Sequence, residues 1–283
     1  MITLENLTYY YRKGIPAIDV VNANIGSGMH LLLGENGAGK TTLLKLISGL
    51  LYPRSGECRI NNQNVASRQP LTLRDIFYLG DNMVFPADTI NTMAAIHAPF
   101  YPTFNARQLA ANLEMFGMNG YEKLNSLSLG NRHKAQVAYA LALGTQVLLM
   151  DEPTNGLDIT SKQILAKMIA QCVSEEQTVI VSTHNVDNFP NLYDGVIVLS
   201  HGQMLLNAPI WQITERISFN ASMEVPAPDT LYSEQRFGLY RTITPNTTGD
   251  ETTLDYTLLY NSLMSSNRDK IIEQITLTDS SQL

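Results

Sequence analysis

The chain has 283 residues, 44% of them hydrophobic, which is enough for one large domain or two unequal ones with packed cores. A formal net charge of −7 argues against nucleic acid as the main ligand, because phosphate backbones reward clustered Lys and Arg, but it leaves room for a nucleotide at a local positive site. Cys58 and Cys172 lie far apart, in no metal-like spacing, and read as reduced thiols of a cytosolic protein; Met1–Asn6 shows neither a basic start nor an apolar signal core, and no apolar window approaches the roughly eighteen residues of a bilayer span.

In chain order, Ile2–Leu4 and Ile18–Ala23 read as strands joined by a loop around Lys13 and Gly14. Met29 to Leu33 reads as a buried strand. It leads into Gly34-Glu35-Asn36-Gly37-Ala38-Gly39-Lys40-Thr41-Thr42, which fits the phosphate-cradling pattern G-x-x-x-x-G-K-[ST]. Thr42 to Leu50 follows with helical spacing. A strand, a glycine turn and a helix start form an anion site, because free backbone N–H groups and the helix dipole converge there. Lys40 is placed to reach the β- and γ-phosphates, and the Thr41 hydroxyl to ligate Mg²⁺.

Tyr52-Pro53-Arg54-Ser55-Gly56 then breaks the pattern, and Glu57 to Ile60 with the turn-rich Asn61–Asn64 suggests a small β excursion. Ile76–Leu79 reads as a buried strand. From Asp88 to Tyr139 the signal is mostly helical: Ala106 to Phe116 puts Leu109, Leu113 and Phe116 on one face, and Ser128 is a good cap for a helix over Leu129 to Leu143. Strand and helix alternate again through Val147–Met150, Thr160–Val173 (Ile164, Leu165, Met168 and Ile169 inward) and Val179–Val181. A hairpin is expected at Ser200-His201-Gly202-Gln203. Beyond about Asn220 the character shifts to a small mixed segment, with a helix expected within Leu254 to Ile275. The alternation argues for a mostly parallel central sheet.

The apolar strand Val147–Met150 ends in Asp151 and Glu152. Downstream of a phosphate loop, Asp151 reads as an Mg²⁺ ligand, direct or through water, and Glu152 as the base that polarises the attacking water.

With these residues in place, the chain resembles the nucleotide-binding subunit of ATP-binding cassette (ABC) transporters, from roughly Met1 to Ser218. Asp151-Glu152-Pro153-Thr154-Asn155-Gly156-Leu157-Asp158 resembles the family's Walker B segment and D-loop, with Asp158 as the D-loop acid. Val179–His184 resembles the switch-histidine segment, which implies that His184 senses the γ-phosphate. Leu127-Ser128-Leu129-Gly130-Asn131 resembles the signature Leu-Ser-Gly-Gly-Gln, with Leu129 for glycine and Asn131 for glutamine. Ser128 and Gly130 keep the hydroxyl and the open N–H, which in the family act in trans on ATP held by a second subunit. Ser128 also reads as a plain helix cap.

Tyr11 sits where the family places an aromatic that stacks on adenine, with Tyr9 and Tyr10 as neighbours in register. Asp81, after the strand Ile76–Leu79, aligns with the family's Q-loop glutamine; a carboxylate there is a hard oxygen donor for Mg²⁺ but adds negative charge. The stretch from about Asp88 corresponds to the family's helical subdomain, which docks the membrane partner. Its aromatic run Pro99–Phe104 suits either a partner-helix groove or local core.

The resemblance implies an α/β fold: a P-loop NTPase core with a mostly parallel sheet, an antiparallel β subdomain, a short helical subdomain (about 88–139) and a small C-terminal α+β extension (219–283) after a cassette over 1–218. Glu152, His184 and Lys40 form the implied catalytic set. Tyr11, residues 34–42, Ser128, Gly130 and Asp158 form the nucleotide set, and Thr41, Asp81 and Asp151 the metal set. The implied cofactors are ATP and Mg²⁺. The implied partners are a second nucleotide-binding subunit, identical or not, and an integral-membrane permease. The protein would then lie on the inner face of the cell membrane, with no nucleic-acid partner, in an exporter-type system. Two rivals are a soluble ABC-type ATPase without a transport role and a nucleotide-dependent module with feeble hydrolysis, the latter suggested by Asp81, Leu129 and Asn131.

Overall fold

The chain opens with two antiparallel strands, β1 (Ile2–Tyr9) and β2 (Ile18–Ile25), in a computed structural model that describes residues 1–12, 14–81, 83–184, 192–247, 249 and 252–277. Lys13 of the expected loop and Asn82 after Asp81 lie outside the described residues. With β4 (Ser55–Ile60) and β5 (Gln63–Asn64) these strands form an antiparallel sheet in the order β2-β1-β4-β5. β1 runs to Tyr9, beyond the expected Leu4. Its ladders to β2 and β4 shift register between residues 4 and 9, and Asn6 adopts φ +48°. That irregularity moves the next inward residue to Leu7 and hides the two-residue alternation that marks a strand.

Four strands of the core sheet pair in parallel. β3 (Gly28–Leu33) pairs with β8 (Thr178–Ser182), β8 with β7 (Val147–Asp151), and β7 with β6 (Ile76–Leu79). β7 and β8 are buried along their whole length, which explains their unbroken apolar runs. The registers bring Asp151 opposite Ser182 and Leu79 opposite Met150. The carboxyl ends of these strands therefore meet at one edge, where ligands of open α/β sheets bind.

Helix α1 (Lys40–Ile47) follows β3. It stops short of the expected Leu50 because Gly49 turns to φ +72° and Leu50 N–H bonds back to Lys45 O. A short α2 (Pro70–Leu73) precedes β6. The helical region holds α3 (Ile90–His97), α4 (Ala106–Met115) and α5 (Leu129–Ala142), with Asn105 and Ser128 capping the last two. Helix α6 (Ile159–Cys172) links β7 to β8. Among the described residues, no helix is long and apolar enough to cross a membrane.

Tyr139 of α5 is fully buried at the centre of an aromatic cluster. Phe85 lies 5.4 Å away, Phe77 6.1 Å and Phe104 6.3 Å, and the Tyr139 hydroxyl sits 2.9 Å from His97 Nδ1. The aromatic run 99–104 thus divides. Tyr101, 6.0 Å from Phe77, and Phe104 are half-buried against this cluster, while Phe100 is 68% exposed.

A second compact unit draws on Asp194–Val198 and the chain from Leu205 onward. β9 (Gly195–Ser200) and β10 (Gln203–Pro209) form the expected hairpin, with His201 and Gly202 both at positive φ, as a tight primed turn requires. Helix α7 (Ile210–Arg216) leads to a sheet ordered β11 (Ile217–Ser222), β13 (Leu239–Pro245), β12 (Tyr232–Arg236). The expected break at 218/219 falls inside β11, which pairs with β13 from Ile217 to Ser222 and so is not divided there. Leu254–Ile275 holds two helices, α8 (Tyr256–Met264) and α9 (Arg268–Thr276). They part at Ser265, whose hydroxyl donates to Ser262 O and accepts from Asn267 N–H, offering the backbone an alternative to the helix ladder.

Truncating Tyr139 to Ala removes the centre of the aromatic cluster. The expected loss of stability is about 3–5 kcal/mol, read as a lower denaturant midpoint with an unchanged slope.

Candidate functional site

The turn after β3 is built around two glycines at positive φ, Gly37 (+86°) and Gly39 (+109°). A Cβ on Gly39 would lie 2.4 Å from Ala17 O, and one on Gly34 would lie 2.6 Å from Leu199 O. The backbone curls this tightly only without side chains there. Among the described residues, no side chain caps the start of α1, so its first N–H groups are left for an anion. The Lys40 side chain is buried and folds back, its Nζ donating to Gly34 O at 2.6 Å and Glu35 O at 3.2 Å. Burial pulls its pKa down, and the charges of Glu152 and Asp151 oppose that pull.

Asp151 closes β7 and faces the loop. Its Oδ2 accepts from Thr41 Oγ1 at 2.6 Å and from Tyr78 Oη at 3.2 Å; its Oδ1 accepts from Ser182 Oγ. Glu152, one residue on, adopts φ +51°, an uncommon conformation for a side-chain-bearing residue. Its N–H donates to Ser182 O at 3.0 Å, which holds the turn. Its carboxylate thereby leaves the strand line: Oε1 lies 2.9 Å from His184 Nδ1, and Oε2 is buried with no hydrogen-bond partner among the described residues. An unpartnered buried carboxylate oxygen beside a phosphate loop suits a water that it would deprotonate.

A cleft of about 450 Å³ joins these parts. It is lined by Tyr11, Ala17, Glu35, Asn36, Gly37, Gly39, Lys40, Thr41, Thr42, Asp81, Asp151 and Glu152. Of the three neighbouring tyrosines, Tyr11 is the one at the cleft, with its hydroxyl 3.2 Å from Thr42 Oγ1. The Arg54 guanidinium lies over the rings of Tyr9 and Tyr10 instead. The Thr41 hydroxyl and the Asp151 carboxylate are adjacent hard oxygens and fit Mg²⁺. Asp81 lines the same cleft, but its Oδ1 accepts from Asn155 Nδ2 at 3.0 Å, which turns it partly toward the loop after Glu152. Gly34 and Ala38 lie behind the cleft as support, and both are buried.

Ser128, Gly130 and Asp158 are not among the lining residues. Ser128 caps α5, accepting from Asn131 N–H at 3.3 Å. A Cβ on Gly130 would lie 2.6 Å from Gly156 O, so this glycine permits close approach of two loops. Asp158 caps α6 through Ser161 N–H at 2.7 Å and lies 3.6 Å from Lys134 Nζ; the backbone bond holds its carboxyl below its usual pKa. Sequence reading passed over Ala17, Tyr78, Asn155 and Ser182 as site residues. Only strand register could have found Ser182 and Tyr78, because each meets Asp151 across the sheet.

The ABC transporter family model matches residues 19–155. An ABC transporter ATP-binding protein, NatA, of Bacillus subtilis is 30% identical over 228 residues, 76% of this chain and 92% of that protein. A putative ABC transporter ATP-binding protein of Clostridium acetobutylicum is 29% identical, over 80% of this chain and 85% of its own. A bacterial ABC transporter cassette, solved as a dimer, superposes with a TM-score of 0.64 at 25% identity, covering 74% of this chain and 99% of that one. The same cassette in a post-hydrolysis state bound to ADP and Pi gives 0.63 at 26% identity, with the same coverage.

Lys40→Ala removes the one lysine that lines the cleft. Fluorescence titration is expected to show binding of an ATP analogue weakened by about tenfold or more, the size of a lost hydrogen bond to a charged group, with the melting curve retained.

Proposed function

Since this chain belongs to the ABC transporter ATP-binding family, we propose that it is the ATPase subunit that powers a separate membrane permease. The observation that carries the reading is the Thr41–Asp151 hydrogen bond, which ties the phosphate loop to the acidic strand end with Glu152 and His184 beside it.

In this reading the turn 34–39 and the start of α1 grip the triphosphate through backbone N–H groups, and Lys40 swings from its carbonyls to the β- and γ-phosphates. Tyr11 stacks on the adenine. Mg²⁺ held near Thr41 and Asp151 would supply charge neutralisation on the phosphates. Glu152 Oε2 takes a proton from water as the water oxygen bonds the γ-phosphorus and the bond to ADP breaks. His184 orients Glu152 through Oε1 and reports the γ-phosphate. Asp81 stands where a further metal or water contact is available.

Ser128 and Gly130, which do not line this chain's own cleft, complete the site of a second cassette, identical or related, facing head to tail, with Asp158 near that interface. ATP stabilises the closed pair because it makes more contacts there than in the open one. The helical region passes this motion to the permease, which places the protein on the cytoplasmic face of the membrane. Exporter-type coupling is supported by the short helical region and the C-terminal unit. A cassette–permease complex in proteoliposomes is expected to hydrolyse ATP without any external binding protein.

Glu152→Gln is expected to lower turnover by about 10²–10⁴-fold while ATP binding persists, and to trap an ATP-dependent dimer visible by size-exclusion light scattering. Hydrolysis at the unsubstituted rate would remove Glu152 from the mechanism. Purification of the chain from native membranes without a polytopic partner would favour a soluble ATPase instead.

A further inference from the structure

Strand β6 reads as filler for a buried sheet, yet one of its four side chains carries a hydroxyl to the acidic centre. Tyr78 Oη donates to Asp151 Oδ2 at 3.2 Å, sharing that oxygen with Thr41 Oγ1. In the parallel ladder Tyr78 stands opposite Leu149, so the phenol leans along the strands past residue 150 to reach Asp151. It has room because residue 80 is glycine: a Cβ there would lie 3.0 Å from Tyr78 Cε1 and 3.1 Å from Tyr78 Oη. An ionised carboxylate can only accept, so the phenol is the donor of this bond.

We propose that Tyr78 is a positioning residue for the divalent cation, acting through Asp151. This rests on the reading that Asp151 serves that cation. An ionised carboxylate has about four lone-pair directions. Thr41, Tyr78 and Ser182 fill three of them from three different elements, α1, β6 and β8. The carboxylate plane is thereby fixed, and one direction remains for the ion or its water. A small cation that demands near-ideal octahedral geometry is sensitive to such orientation. Loss of an outer donor of this kind typically weakens metal binding by about 10–100-fold. Tyr78 itself is absent from the cleft lining.

The test uses Mn²⁺ as a paramagnetic probe, titrated with ADP present and followed by electron paramagnetic resonance. Tyr78→Phe, which removes only the hydroxyl, is expected to weaken ADP-dependent Mn²⁺ binding by about tenfold. Nucleotide affinity in EDTA and the melting temperature stay as in the unsubstituted chain. Gly80→Ala keeps the phenol but crowds it, and shifts Mn²⁺ binding in the same direction. The Mg²⁺ concentration for half-maximal ATPase rises in parallel. Equal Mn²⁺ affinity in Tyr78→Phe and the unsubstituted chain overturns the assignment. So does an equal loss of metal-free nucleotide binding, which marks a merely structural role. Should the unsubstituted chain show no ADP-dependent Mn²⁺ binding at all, the functional reading itself fails, and the assignment with it.

Discussion

The buried carboxylate of Asp151 is the constraint on which the rest of the site depends. It is 4% exposed, and a charge so placed is tolerable only when its oxygens are met by donors. Those donors come from the first turn of α1, the middle of β6 and the end of β8, with Asp151 itself ending β7. Their convergence requires that three parallel strands keep register to within one residue. The apolar runs of β7 and β8, buried throughout, are what hold that register.

The neighbouring residue uses the same framework differently. Glu152 sits at positive φ, a strained conformation of order 1–3 kcal/mol that persists because its N–H is held by Ser182 O. The strain turns the second carboxylate out of the strand line, so the two acids do not compete for the same donors. Ser182 therefore serves both acids, through its hydroxyl to Asp151 and its carbonyl to Glu152. Lys40 rests on two carbonyls of its own loop, a set of contacts that an anionic ligand can replace.

The departures from the family's motifs acquire local partners. Asp81, in the place of a glutamine, accepts from Asn155, and so links the end of β6 to the loop that follows Glu152. Leu129, in the place of a glycine, is 67% exposed beside Ser128. Gly130 remains glycine because Gly156 O approaches it closely. These contacts join α5, the loop 152–158 and the segment after β6 around one side of the cleft.

The phosphate loop, the acidic doublet and the alternation of strands and helices were legible in the amino-acid sequence, because each is set by residues within one turn or one strand. Gly37 and Gly39 need no distant partner to be recognised as a left-handed turn ahead of a helix. The lengths of β1 and α1 were not legible, since a bulge at Asn6 and a left-handed Gly49 override the local periodicity. Nor was the division of the C-terminal helix at Ser265. Which of three tyrosines meets the cleft, and the joint role of Ser182 and Tyr78 at Asp151, were decided by tertiary structure alone. Tyr78 and Asp151 are 73 residues apart, and only the parallel pairing of their strands brings a phenol to a carboxylate.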